Sequence, residues 1–281
     1  MTRPSSLPSS VPSWIFFTAA TLLFALMGYA LSTYALSREV GADVAAYWGA
    51  AERLRAGEPL YVAGAANASD LYRYAPWFAF AWVPLTFLPR EAVTAAWVGL
   101  MIAAAILTTV PLVRHGVAGT AAFSLFAPIQ LQAAVFGNVQ PLLVLMLMWG
   151  VERRSGPVWI AVGASLKAVP LVLAVVYAGR GEWSRAGLAL LLTAVLAGPT
   201  LLFDLSGYST AAGPGQMSLT AVATQLYLAV AITLVGVTFA RAKGRFAWLV
   251  GAGAMMAALP RLLTYEIGFL LVGLAERRRD R

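Results

Sequence analysis

Apolar runs free of any formal charge follow one another along the chain, at residues 4–37, 74–89, 92–113, 116–151, 186–203, 205–240 and 246–260. Several exceed the roughly 20 residues with which an α-helix crosses a hydrocarbon core of about 30 Å. Read as helices joined by short turns, they predict a first span from Ser13 or Trp14 to Leu36. Further spans are expected at 75–89, 92–113, 117–135, 138–151, 157–178, 186–203, 218–240, 246–259 and 262–275. Several are short for a full crossing, so tilted, broken or re-entrant segments are expected among them. The pattern predicts an all-α polytopic membrane protein with about 8 to 10 transmembrane helices.

One long polar segment interrupts the pattern. Residues 36–73 hold Glu39, Asp43, Glu52, Glu58 and Asp70 together with Arg38, Arg53, Arg55 and Arg73. Within it, Val44, Tyr47, Trp48, Ala51 and Leu54 recur at helical spacing and Gly57 supplies a stop, which predicts an amphipathic helix lying at the membrane interface. The Ser/Pro-rich stretch 1–13 has too little apolar surface to fold alone and is expected to be disordered. Residues 14–275 then form a single transmembrane domain, and 276–281 a basic tail.

Composition sharpens this picture. With 60% hydrophobic and 11% charged residues, the chain lies far from soluble domains, where the shares are about 45–50% and about 25%, and a soluble enzyme is excluded. The formal charge of +8 does not indicate nucleic acid, because the basic residues sit in short turns between apolar runs. That is the positive-inside pattern. It predicts the turns at 90–91, 180–185, 241–245 and 276–281 inside and the segment 36–73 outside, with 152–154 also outside by alternation. The first apolar run is too long for a signal-peptide core, so an uncleaved span is expected. No cysteine is present and His115 is the only histidine, which argues against thiolate or imidazole metal centres.

Few residues carry candidate chemistry. Asp43 opens the interfacial helix, where a carboxylate facing a water-filled cleft can act as a general base; Asp is equally a favoured N-cap, and both roles are compatible. Lys167 lies inside the apolar stretch from Ser155 to Gly179, where a lone ammonium needs water or a partner. It suits a phosphate, with a snorkelling lysine or an intramembrane ion pair as the structural alternative. Gly137, Asn138, Val139 and Gln140 form a polar break whose amides can bind sugar hydroxyls or serve as a plain turn. Arg261, Tyr265 and Glu266 follow Pro260, and Glu266 as a partner for Arg261 is the bland reading. Arg73 and Tyr74 precede Pro76, after which Trp77, Phe78, Phe80 and Trp82 read as lipid-facing or interfacial aromatics. No phosphate loop, metal triad or Ser/His/Asp order is present.

The string Asp43, Tyr47, Leu54, Gly57, Leu60 and Tyr61, then Tyr72-Arg73-Tyr74-Ala75-Pro76 and Pro84 to Pro89, resembles the start of glycosyltransferase family 87, also called the DUF2029 family, membrane enzymes of the GT-C type. Gly137-Asn138-Val139-Gln140 is similar to the family's Gly-Gln-x-Asn segment with the amides exchanged, and Leu166-Lys167-Ala168-Val169-Pro170 to its Leu-Lys-x-x-Pro. Leu259-Pro260-Arg261 to Tyr265-Glu266 is similar to its late Ser-Pro motif with a Tyr-Asp pair. The chain is short for the family, its 204–217 connection is small, and the aromatic-His signature of some members is absent.

The resemblance implies a GT-C-like bundle that moves a sugar, mannose in the best-known branch, from a polyprenyl-phosphate donor to a hydroxyl of a lipid-linked or cell-envelope glycan or glycolipid acceptor. Asp43 would be the base. Lys167, Arg261 and Arg73 would neutralise the departing phosphate, with Tyr47, Tyr74, Asn138, Gln140, Tyr265 and Glu266 as substrate-binding residues. No metal or other cofactor is required by this scheme. The expected partners are the lipid bilayer and these two substrates, without nucleic acid, in a bacterial inner membrane with the site on its outer face. A polytopic transporter or flippase of a lipid-linked sugar or small solute is the alternative from another class, and a non-catalytic binder of prenyl lipid a third; no clear internal repeat marks a transporter.

Overall fold

The computed structural model describes residues 18–33 in part, 40–64, 70–208, 220 and 223–278. The N-terminal stretch 1–13 expected to be disordered, Arg38, Glu39, most of the expected first span and the end of the basic tail lie outside the described residues. The fold is helical. α1 spans Val44–Ala56, α2 Pro76–Trp82, α3 Arg90–Thr109, α4 Gly116–Val135, α5 Gln140–Gly150, α6 Gly156–Leu166, α7 Ala174–Gly179, α8 Trp183–Ala197, α9 Thr224–Arg241 and α10 Ala247–Ala257. Tighter 3₁₀ turns adjoin several of them, at Val83–Phe87, Val110–His115, Val169–Leu173 and Gly198–Leu202, and a separate 3₁₀ stretch runs over Thr264–Arg278. Among the described residues, three apolar helical stretches are long enough to cross a membrane: Arg90–Val135, which comprises α3 and α4, Trp183–Leu202, and Thr224–Arg241. The described residues are all-helical and compatible with a membrane protein.

α1 forms where the sequence predicts it, and Gly57 ends it at φ +71°, a left-handed cap that a glycine adopts without strain. Its apolar face, with Val44, Tyr47, Trp48 and Ala51, is buried in the main core. The segment 75–89, expected to cross, does not. Pro76 starts a helix of only 7 residues, Pro84 tightens the next turn, and Arg55 Nη1 donates to Thr86 Oγ1 at 2.8 Å, holding the segment against α1. Of the segment's aromatics, expected to be lipid-facing or interfacial, Trp77, Phe78 and Trp82 are turned into the fold. Phe78 and Trp82 are buried against Tyr47 and Trp97, Trp77 Nε1 donates to Ser165 Oγ at 3.1 Å, and Phe80 alone of the four is exposed.

The apolar run 157–178 also departs from a simple crossing. α6 ends at Leu166; Lys167 is extended at φ −138°, ψ 111°, and Pro170 lacks the N–H that would continue the helix onto the Leu166 carbonyl. The chain folds back, so that a Cβ at Gly163 would lie 3.2 Å from Pro170 Cβ. Both ends of this hairpin therefore lie together. Arg180 Nη1 meets Glu152 Oε1 at 2.9 Å, Arg185 Nη2 donates to the carbonyls of Val151 at 3.0 Å and Arg153 at 2.7 Å, and the Tyr177 hydroxyl donates to the Val151 carbonyl. Trp248 Nε1 adds a bond to Glu152 Oε1 at 2.5 Å, and Arg180 Nε one to Ala242 O at 2.9 Å.

The turns at 151–155, 180–182 and 241–246 thus gather at one end of the bundle, which is rich in Arg and Lys. The expected separation of 152–154 from 180–185 is corrected, because the run between them is a re-entrant hairpin. The turn at Arg90 is corrected as well. Trp97 Nε1 donates to Gly137 O at 2.7 Å and a Cβ at Gly41 would meet Thr94 Cγ2 at 2.5 Å, so α3 begins at the opposite end, beside residues 40–61.

Candidate functional site

At that opposite end the chain is pinned so that Asp43 faces the polar break before α5. Gly41 N donates to Val135 O at 2.8 Å and Asp43 N to Phe136 O at 2.9 Å. Gly41 and Gly137 both have positive φ, +75° and +71°, and a Cβ at Gly137 would lie 2.7 Å from Val44 Cγ2. Glycine is required there for conformation and for space. Asn138 Oδ1 accepts from Gln140 N at 2.9 Å and so caps the start of α5, which aims its amide outward. Asn138 Nδ2 donates to Asp43 Oδ2 at 2.5 Å and to the Tyr265 hydroxyl at 3.3 Å.

Asp43 occupies the N-cap position of α1 without making a cap bond. Its carboxylate is spent on the recess instead, and among the described residues only Oδ2 has a donor. Burial pushes its pKa above the ordinary carboxylate range, opposed by the Asn138 hydrogen bond and by the charges of Lys167, Arg261 and Arg73. Arg73 is in turn shifted down by burial and by Arg261. Tyr47, fully buried, accepts from Val139 N at 3.3 Å and pairs with the Tyr74 hydroxyl at 3.3 Å; burial raises both phenols.

Lys167, set out of helical geometry by the hairpin, donates through Nζ to Gln140 Oε1 at 3.1 Å and Glu266 Oε1 at 3.3 Å and lies 5.0 Å from the Tyr265 ring centroid. Glu266 Oε2 accepts from Leu263 N at 2.9 Å. Glu266 is thus the partner of Lys167, whereas sequence proximity suggests Arg261; the hairpin brings in a charge 99 residues away. Arg261 acts on Asp43 and Arg73 through its field. The candidates Asp43, Tyr47, Arg73, Tyr74, Asn138, Gln140, Lys167, Arg261, Tyr265 and Glu266 all converge on one recess.

Sequence reasoning missed Trp77 and Ser165, which join α2 to the turn before Lys167, and an aromatic cluster at the rim. Tyr61 stacks on Tyr72 and meets Phe203 and Tyr208 edge-on, and the backbone at Gly207 approaches Tyr61 O so closely that a Cβ would lie 2.5 Å from it. The spacing of Tyr61, Tyr72 and Tyr74 was the available signal. His115 is exposed, remote from the recess. Among the described residues no three His, Cys, Asp or Glu side chains gather as a metal ligand set.

The recess joins two carboxylates, three cations and amide and phenol groups, Lys167 being paired with Glu266, so it can take a proton and bind an anion in the same place. Comparison of the chain with family models, curated proteins and solved structures finds no match.

Proposed function

We propose that the chain is a multi-pass membrane hexosyltransferase of the GT-C type, using a polyprenyl-phosphate sugar, mannose first among the candidates, and a hydroxyl on a lipid-linked or cell-envelope acceptor. The observation that carries this reading is the Asp43 carboxylate, which makes no helix cap and stands in the field of Lys167, Arg261 and Arg73. In the proposed step, Asp43 takes the acceptor hydroxyl proton as that oxygen attacks the anomeric carbon. The bond from that carbon to the phosphate oxygen breaks with inversion, and polyprenyl phosphate leaves with the electron pair. The three cations stabilise the leaving phosphate. Tyr47, Tyr74, Asn138, Gln140, Tyr265 and Glu266 hold the substrates and the side chains that act on them. The recess end is assigned to the outer face of the cell membrane, because the opposite end carries Arg153, Arg154, Arg180, Arg185, Arg241, Lys243 and Arg245 against Glu152 and Glu182.

The test is to incubate the purified protein with labelled polyprenyl-phosphate mannose and a total lipid extract. Label should move to an acceptor with wild type and not with Asp43→Asn. A second reading, a transporter or flippase, is favoured by one feature, the helix broken at Lys167. Transbilayer movement of the intact lipid-linked sugar in proteoliposomes, without transfer, would establish that reading instead.

A further inference from the structure

At the basic end, α5 and α6 approach where Gly150 meets Trp159. A Cβ at position 150 would lie 2.2 Å from Trp159 Cδ1, so the contact requires glycine. The indole is fixed by its own hydrogen bond, Nε1 donating to Ser155 Oγ at 3.0 Å. Beside this contact a slot of about 300 Å³ opens between α3, α5 and α6, lined by Leu107, Leu145, Met146, Trp149 and Trp159. Arg153 is the one charged residue in its wall.

We propose that this slot binds one anionic phospholipid of the leaflet at the basic end, an acyl chain lying against the apolar wall and the phosphate held by Arg153 and Arg154. The slot combines a hydrocarbon surface with a cation at its edge, and both halves of such a lipid match it. Its two tryptophans are the residue type favoured at the headgroup level of a bilayer.

The two guanidiniums are set for an outside anion. Both residues are exposed, and among the described residues no carboxylate pairs with either. The adjacent acid, Glu152, is already engaged by Arg180 and Trp248. The turn that carries them is held by its backbone, since Arg153 O accepts from Arg185 Nη2 at 2.7 Å and from Gly156 N at 2.9 Å. The cations are thus positioned without using their charge. A second copy of the chain is a poor occupant, because face-to-face docking would bring four guanidiniums together.

The experiment uses the full chain in detergent, titrated with dioleoyl phosphatidylglycerol or dioleoyl phosphatidylcholine. Thermal unfolding is followed, and so is quenching of tryptophan fluorescence by the same lipids brominated in their chains. Phosphatidylglycerol should raise the unfolding midpoint and quench at lower concentration than phosphatidylcholine. The variant Arg153→Gln/Arg154→Gln, altered only at exposed positions, should unfold as wild type without lipid and lose about tenfold in apparent affinity for phosphatidylglycerol. Trp149→Phe should remove a large part of the quenching. Equal effects of the two lipids, an unchanged affinity in the double variant, quenching indifferent to Trp149, or the same stabilisation by water-soluble glycerol phosphate would each overturn the proposal.

Discussion

The partly buried carboxylate of Asp43 is held by one amide and by the charges of Lys167, Arg261 and Arg73, while desolvation raises its pKa. The folded state therefore favours the protonated form. Its contribution to stability is complete below the ordinary carboxylate value and is lost as pH rises through the raised one. Asp43→Asn, neutral at every pH, should match or exceed wild type in thermal stability at pH 7, with the difference closing in acid; a lower midpoint at pH 7 would contradict the desolvated geometry. Sugar transfer by the same variant should fall by about two to four orders of magnitude, since an amide cannot take the proton. Wild-type transfer should rise with pH through the raised pKa. Near wild-type transfer by Asp43→Asn would move the base elsewhere, with Glu266 next in line.

Lys167 needs a different design, because its partner Glu266 is buried, with side-chain exposures of 14% and 6%. Lys167→Met alone would strand that carboxylate at a cost of about 3–5 kcal/mol. Lys167→Met/Glu266→Gln removes both charges, and should stay folded while binding polyprenyl phosphate more weakly. Wild-type affinity in the double variant would leave the pair a structural one. The individual candidates were legible in the sequence because charges and amides stand out in apolar runs. The pairing of Lys167 with Glu266 was not, since nothing local reveals a partner so distant along the chain.

At the scale of elements, hydrophobic runs were legible and their paths were not. The stretch 155–179 has the length and composition of one crossing, with only Lys167 and Pro170 to signal the break that makes it a hairpin. The stretch 75–89 has the composition of a span, and its prolines shorten it into a cover for α1. α1 itself was readable, because its periodicity and the stop at Gly57 agree. The return arm of the hairpin is held tightly, and this is testable. A Cβ at Gly179 would lie 2.4 Å from Phe239 O and 2.5 Å from Ala242 Cβ, whereas Gly187 on α8 has nothing within 4 Å. Gly179→Ala should destabilise by about 1–3 kcal/mol, and Gly187→Ala should be neutral or stabilising by up to about 1 kcal/mol, measured by thermal or denaturant unfolding in detergent. Equal effects would contradict the packing of α7 on α9.

For the whole molecule, the hairpin resolves a conflict in the charge pattern. Strict alternation of spans puts Arg153 and Arg154 on the face opposite Arg180 and Arg185, which opposes the Lys/Arg bias. Once 156–179 turns back, all four lie at one end with Arg241, Lys243 and Arg245, whereas the recess end sets Arg53, Arg55, Arg73, Arg90, Lys167 and Arg261 against Asp43, Glu52, Glu58, Asp70, Glu91, Asp204 and Glu266. The excess of basic over acidic side chains at one end and the described fold then support the same orientation. Single cysteines replacing Glu58, Glu91, Arg154 or Lys243, each exposed, can be probed in intact cells with a membrane-impermeant thiol reagent, the chain having no cysteine of its own. Cysteines at 58 and 91 should label, and those at 154 and 243 only after permeabilisation. Labelling at 154 together with 58 would restore a full crossing between 154 and 180 and remove the hairpin; labelling at 243 but not 58 would invert the molecule and move the Asp43 recess to the other side of the membrane.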